Sequence, residues 1–272
     1  MREGIPAFSR VDASTSACSL VEFLDHTAAA HFSQINRRSI ELLRLREDAS
    51  ALDVGCGTGD DVRMMREVVG PQGCVTGVDL SRRMIDEALA RDRASALHSR
   101  FLVADAQDLP FADGSFDACR ISRVLLHVED AESALKEVVR VTRAGGRVVA
   151  IEPDFGTMAL AHPDPETTRT VLNSFCDSFA HGAVGRWLTV WLPSLGMKEI
   201  RCEPHALRID ADFLRHGFQI ERAVQRALDL KLATAERCHD FIRVLDEIAS
   251  REEFFCIATV LMVSALKPSP GT

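Results

Sequence analysis

Residues 51–62 read ALDVGCGTGDDV, an apolar run followed by three glycines within five positions. Glycine loses more conformational freedom on folding than any other residue, so it is used where the backbone must turn tightly or let a ligand come close. The stretch therefore reads as a strand, a tight turn and the start of a helix, with Asp53 just ahead of the first glycine.

The same pattern repeats downstream. DDVRMMREVV is a helix closed by Gly70-Pro71, CVTGVDL a second strand, and RRMIDEALARD a helix that Ser81 can cap. RFLVAD is a third strand, a turn follows at Asp113-Gly114, and FDACRISRVL is a fourth strand. DAESALKEVVRVTRAGG reads as a helix capped by Asp130 and stopped by Gly145-Gly146, leading into the strand RVVAIEP. Five strands alternating with helices predict parallel βαβ units in a doubly wound α/β sheet. Ahead of this unit, apolar spacing between Cys18 and Leu45 predicts two helices. Behind it, residues 157–250 read as mainly helical, broken by a strand at KEIRCEPHALRI, and FFCIATVLMVSAL has the length of a buried strand.

The bulk numbers narrow the classes. The chain has 272 residues, 46% hydrophobic and 26% charged, as in an ordinary globular protein. A net charge of -8 argues against a broad nucleic-acid surface, which would need clustered Lys and Arg. The eight cysteines are scattered, without CxxC or a histidine spacing suited to zinc, so they read as buried thiols and no metal is expected. The opening MREGIPAFSRVDASTS lacks the apolar segment of a signal peptide, and FFCIATVLMVSAL is too short to span a bilayer. A cytoplasmic protein without a membrane span is the expectation, and a homo-oligomer stays open.

A glycine turn between strand and helix puts backbone N–H groups and the positive end of a helix dipole in a cleft. Here acids end the next two strands, Asp79 and Asp105. An acid after the second strand suits a ribose, whose two hydroxyls can both donate to one carboxylate. Asp105 suits an adenine amino group, with the Ala106 N–H on a ring nitrogen. A dinucleotide fingerprint needs G-x-G-x-x-G, whereas Gly55-Cys56-Gly57-Thr58-Gly59-Asp60 has GxGxG spacing and an aspartate in the final position. A pyrophosphate would be repelled by Asp53 and Asp60, and a cationic, phosphate-free cofactor would not be. An NAD-dependent oxidoreductase is disfavoured on these grounds.

ALDVGCGTGDDV, GVDLS, VADAQDLPFADGSFDACRIS and EVVRVTRAGGRVV, four segments in order, resemble the class I S-adenosylmethionine-dependent methyltransferases over roughly residues 35–155. They are most similar to the subgroup of ubiquinone/menaquinone-type and natural-product small-molecule methyltransferases, which makes secondary metabolism a candidate setting. The resemblance implies a Rossmann-like, seven-stranded sheet whose last strand is antiparallel. It implies S-adenosyl-L-methionine as cofactor and S-adenosyl-L-homocysteine as product. By the same resemblance Gly55, Gly57, Thr58 and Gly59 receive the cofactor's amino-acid part, with Asp53 beside its ammonium group. Asp79 holds the ribose, Leu80 and Met84 pack on the adenine, Asp105 and Ala106 frame it, and Ser122 touches the methionine moiety. The expected division is N-terminal helices at 1–48, a core of 49–156 with 195–209 and 252–267, and an α-helical cap at 157–194 and 210–250.

The acceptor is less determined. No NPPY-like tetrapeptide follows the fourth strand, no Pro-Cys nucleophile appears, and a paired-glutamate loop is missing, so a small molecule is the expected acceptor. His127 is the candidate base, with a pKa near 6–7, although a structural histidine bonding backbone fits the position equally. Glu152 and Asp154 are either substrate-facing or solvated loop acids. His181, Arg186 and Trp187 in HGAVGRWL, with Arg123, are candidate substrate contacts; Arg186 is either the partner of an anionic group or held in a surface ion pair, and Arg123 has the same two readings. Two other readings keep the cofactor: a non-methylating rearrangement or cyclisation, and a binding module without catalysis.

Overall fold

The computed structural model describes residues 32–93, 98–251 and 253–269. In chain order the first half carries α1 (Ser33–Leu43), β1 (Ser50–Val54), α2 (Asp60–Val69), β2 (Cys74–Asp79), α3 (Arg82–Asp92), β3 (Arg100–Val103), β4 (Phe116–Ser122) and α4 (Ala131–Val141). The second half carries β5 (Thr142–Leu160), α5 (Pro165–Cys176), α6 (Leu188–Ser194), β6 (Lys198–Ile209), α7 (Ile220–Asp229), α8 (Ala235–Ser250) and β7 (Cys256–Leu266). One seven-stranded sheet results, in the order β3-β2-β1-β4-β5-β7-β6. The first five strands are parallel, and β7 runs antiparallel between β5 and β6. The order in which strands are added reverses between β1 and β4, which in a doubly wound sheet opens a crevice at the carboxyl ends of the strands.

The central strands are covered on both faces. Ala51, Leu52, Cys119, Ile121 and residues 148–151 of β5 are almost wholly buried, which is why they read as unbroken apolar runs. Helix starts follow the expected chemistry. Ser81 Oγ accepts from Met84 N at the start of α3, and Asp130 Oδ1 accepts from Ser133 N at the start of α4. The insert divides: α5, α7 and α8 pack on one another, α5 also covers β5, and α6 lies on β6 and β7.

Two expectations change, and one lies largely outside the described residues. Only part of the segment expected to hold two helices between Cys18 and Leu45 is described, and it is α1; Cys18, Leu20, Phe23 and Leu24 lie outside the described residues. Helix α4 stops at Val141 instead of running to Gly145-Gly146. There the Lys267 ammonium donates to the carbonyls of Val139, Arg140 and Thr142, capping the helix end, while Thr142 pairs with Phe116 in the sheet. Strand β5 runs on to Leu160, because β7 pairs with Ala159 and Leu160 after a register shift.

The glycine turn is held by a steric fit. Gly55, Gly57 and Gly59 take φ of 71°, 52° and 81°, the left-handed region that side chains resist. A Cβ at Gly55 would stand 2.1 Å from Val124 Cγ2. Gly55→Ala is therefore expected to lose about 1–3 kcal/mol to dihedral strain and a similar amount to overpacking. Adding Val124→Ala should recover the second part alone. Denaturant midpoints of the single and double variants measure that coupling, and strict additivity would refute the fit.

Candidate active site

Strands β1, β2 and β4 end side by side, so the residues after them meet in the crevice. The glycine turn is fastened to β2: Gly55 N and Cys56 N donate to Val78 O, and Gly57 N donates to Asp79 Oδ2 at 2.9 Å. Asp79 Oδ1 accepts from Ser81 N at 2.9 Å. Leu80 is 50% exposed and forms an open apolar shelf beside it, whereas Met84 is buried. Asp105 Oδ1 accepts from the backbone and side-chain amide of Gln107 at 2.9 and 3.2 Å, and Ala106 is buried. Thr58 is buried, its Oγ1 3.2 Å from Asp60 Oδ2. Ser122 Oγ is buried and has no hydrogen-bond partner.

Asp53 sits in a buried charge cluster that sequence reasoning passes over. Arg120 Nη1 donates to Asp53 Oδ1 at 2.9 Å, and Arg120 Nη2 lies 2.8 Å from Asp61 Oδ2. The same guanidinium donates through Nε to Ser39 Oγ and through Nη2 to Asn36 Oδ1. Arg120 is 2% exposed and Asp53 1%. Burial raises the Asp53 carboxyl to about 6, with Arg120 pulling the other way. The available signal was a single arginine inside an otherwise apolar strand, FDACRIS, since a buried charge demands a partner.

The acceptor-side candidates are placed differently from expectation. Glu152 and Asp154 are not solvated loop acids; both lie inside β5, fully buried. Glu152 Oε1 accepts from Val124 N and Leu125 N at 2.8 Å each, so it holds the loop after β4. Its Oε2 is buried without a partner, and burial raises its pKa to about 7. Arg186 grips Asp154 through Nε and Nη2, both at 2.6 Å, so that edge of its fork is already engaged by a carboxylate. Burial pushes the His127 imidazole down to about 4, so it is neutral near pH 7 and does not supply a group titrating at 6–7. Its ring centroid lies 5.8 Å from that of Phe179.

His181 joins the insert to the loop after β4: its N–H donates to Leu126 O, and Nε2 is 3.1 Å from Glu129 O. Trp187 is 49% exposed and stacks on Trp191 with centroids 6.1 Å apart. The aromatic group beyond β5 is instead Phe155, Phe175, Phe179 and Phe218, with neighbouring centroids 4.9–5.4 Å apart. Arg123 ends β4 at φ 58°, half-buried over the Phe32 ring. Among the described residues no group of three or more His, Cys, Asp or Glu could hold a metal, and no helix is long and apolar enough to cross a membrane.

A family profile described as a methyltransferase domain matches residues 52–150. An uncharacterized 37.1 kDa protein in transposon TN4556 of Streptomyces fradiae is 31% identical over 252 residues, covering 91% of this chain and 72% of that one. A demethylmenaquinone methyltransferase of Listeria welshimeri is 37% identical over 117 residues, 43% of this chain and 50% of that one. The chain thus aligns along about half the length of that relative. Among solved structures, phosphoethanolamine N-methyltransferase 2 of Haemonchus contortus in complex with S-adenosyl-L-methionine superimposes with a TM-score of 0.62 at 17% identity. The superposition covers 98% of this chain and 61% of that one, a likeness of fold.

The raised Glu152 carboxyl has a signed consequence. Between its ordinary value of 4.5 and about 7 the folded protein holds a proton that the unfolded chain gives up. Its contribution to stability is complete below 4.5 and is lost as pH rises through 7. Glu152→Gln keeps an acceptor for the two backbone N–H groups and removes the titration. The variant should gain on the wild type between pH 5 and 8, on the order of 1–3 kcal/mol. Parallel urea curves at the two pH values would contradict this.

Proposed function

The chain belongs to the class I S-adenosylmethionine-dependent methyltransferases, and on that premise we propose that it methylates a small, partly apolar organic acceptor. The observation that carries this reading is the crevice itself. The glycine turn, Asp79 and Asp105 lie at adjacent strand ends beside the exposed Leu80, and Phe175, Phe179 and Phe218 of the insert pack on Phe155 of β5. Similarity to a protein named demethylmenaquinone methyltransferase supports a small organic acceptor.

The residues present fit the cofactor. Ser122 Oγ is a buried hydroxyl with no partner among the described residues, and the turn is built of three glycines at positive φ, which leaves its backbone bare of side chains. Asp79 would hold the ribose, Asp105 and Ala106 the adenine, and the turn with Ser122 the methionine part. Met84, being buried, would support the adenine shelf from beneath. When bound, the cofactor supplies an electrophilic methyl group on a sulfonium. The chain's contribution is then mostly positioning, which in favourable cases is worth about 7–11 kcal/mol. Glu152 fixes the loop after β4 and so the distance between the cofactor and the acceptor space.

Calorimetry is expected to show S-adenosylmethionine binding without added metal. Asp79→Ala should weaken it by about 1–3 kcal/mol, and Asp79→Asn, which keeps an acceptor for Gly57 N–H, by less. Unchanged affinity would remove Asp79 from the ribose site. Release of S-adenosylhomocysteine upon adding members of a small-molecule panel tests transfer; cofactor binding with no release across the panel would favour a binding or rearrangement role.

A second expectation concerns pH. With its imidazole held at about 4, His127 contributes no acidic limb near pH 6–7. The pH–rate profile of His127→Gln should keep the shape of the wild type. Loss of a limb in that range would restore His127 as a proton acceptor.

A further inference from the structure

Among the charged groups that the described residues place around the crevice, Arg123 is the one without a described carboxylate partner. Arg120 grips Asp53 and Asp61, Arg63 grips Asp60, and Arg186 grips Asp154. Arg123 has two contacts. Its Nη1 donates to Asn36 Oδ1 at a long 3.4 Å, and its Cζ lies 4.3 Å above the centroid of the Phe32 ring. Asp61, Glu152 and Asp53 act on it from beyond ion-pair distance, while Arg120 repels it. A guanidinium carries five N–H donors in a planar fork suited to a carboxylate. Leaving most of them unused in a half-buried place is costly unless a partner arrives.

The backbone is arranged to hold the side chain there. Arg123 takes φ 58°, a left-handed conformation unfavourable for a residue with a Cβ, and its N–H is fixed to Ile151 O at 2.8 Å. It stands one residue past Ser122, whose hydroxyl also lacks a partner, at the carboxyl end of β4. Stacking on Phe32 occupies one face of the plane and leaves the in-plane donors for a ligand.

We propose that Arg123 receives the carboxylate of a ligand bound in the crevice. The inference rests on the methyltransferase reading above and adds the chemistry that the site selects. It also moves anion recognition from Arg186 to Arg123. Two carboxylates qualify, the one on the methionine part of the cofactor and one on the acceptor, and each gives a different result.

The test compares wild type with Arg123→Gln by calorimetry, using S-adenosylmethionine, its decarboxylated analogue and, with S-adenosylhomocysteine present, benzoate against benzamide. If the cofactor carboxylate is the partner, wild type should prefer S-adenosylmethionine over the decarboxylated analogue by tenfold or more. Arg123→Gln should erase that preference. If the acceptor carboxylate is the partner, the preference survives the substitution. Benzoate should then bind wild type at least tenfold better than the variant, with benzamide unaffected. No Arg123-dependent carboxylate binding in either arm overturns the proposal. Should Arg123→Gln fail to fold, Arg123→Lys keeps the charge without the planar fork and should show a smaller loss in the same arm. A wild type that binds cofactor but transfers no methyl group counts against the proposed function and leaves this binding comparison intact.

Discussion

The guanidinium of Arg120 is the interaction on which the crevice depends. It is buried in the middle of β4 and touches Asp53 on β1, Asp61 on α2, and Ser39 and Asn36 on α1. Three consecutive segments, α1, β1 and α2, are thus tied to one charge on β4. Replacing one partner of such a cluster leaves an uncompensated buried ion, which is far more damaging than never having buried the pair. The arrangement therefore fixes where β1 ends relative to β4, and with it the origin of the glycine turn. One oxygen of the buried Asp53 is thereby already engaged.

From that fixed origin two further devices shape the space. Val124 packs against Gly55 so closely that only glycine fits, and Glu152 holds Val124 through its backbone N–H. The turn after β1, the loop after β4 and the end of β5 are consequently one mechanical unit, although each looks local in sequence. His181 extends the unit to the insert by donating its backbone N–H to Leu126 O.

Much of this was legible, for definite reasons. KEIRCEPHALRI matches β6 residue for residue. The strand–glycine–helix pattern, the Ser81 and Asp130 caps and the Asp113-Gly114 turn follow from local propensity, which sequence carries well. The end of α4 was misread because the glycines at 145–146 look like a helix stop, while the actual cap comes from Lys267, more than a hundred residues away. The extension of β5 to Leu160 was hidden for the same reason, since it depends on pairing with β7. At the site, residue types and strand ends could be named, but not who pairs with whom. In sequence Arg186 stands open to an anionic substrate or an ion pair, and Asp154 to a substrate or solvent; the structure pairs them with each other.

Pairing also revises the argument about cofactor charge. Reading the acids of the turn as bare negative charges excludes a pyrophosphate by repulsion. In the structure Asp53 is balanced by Arg120 and Asp60 by Arg63 and Arg91, so that repulsion is largely spent inside the protein. What disfavours a dinucleotide is steric and topological: GxGxG spacing, with Asp60 opening α2 where the fingerprint has its third glycine. What favours a ligand bearing both charges is the uneven distribution that remains. The Asp53 cluster presents acids around one compensated arginine, while Arg123, at the end of the same strand, donates to Asn36 Oδ1 and meets no carboxylate among the described residues. An ammonium and a carboxylate on one small molecule would satisfy both, and a polyanion would satisfy only the second.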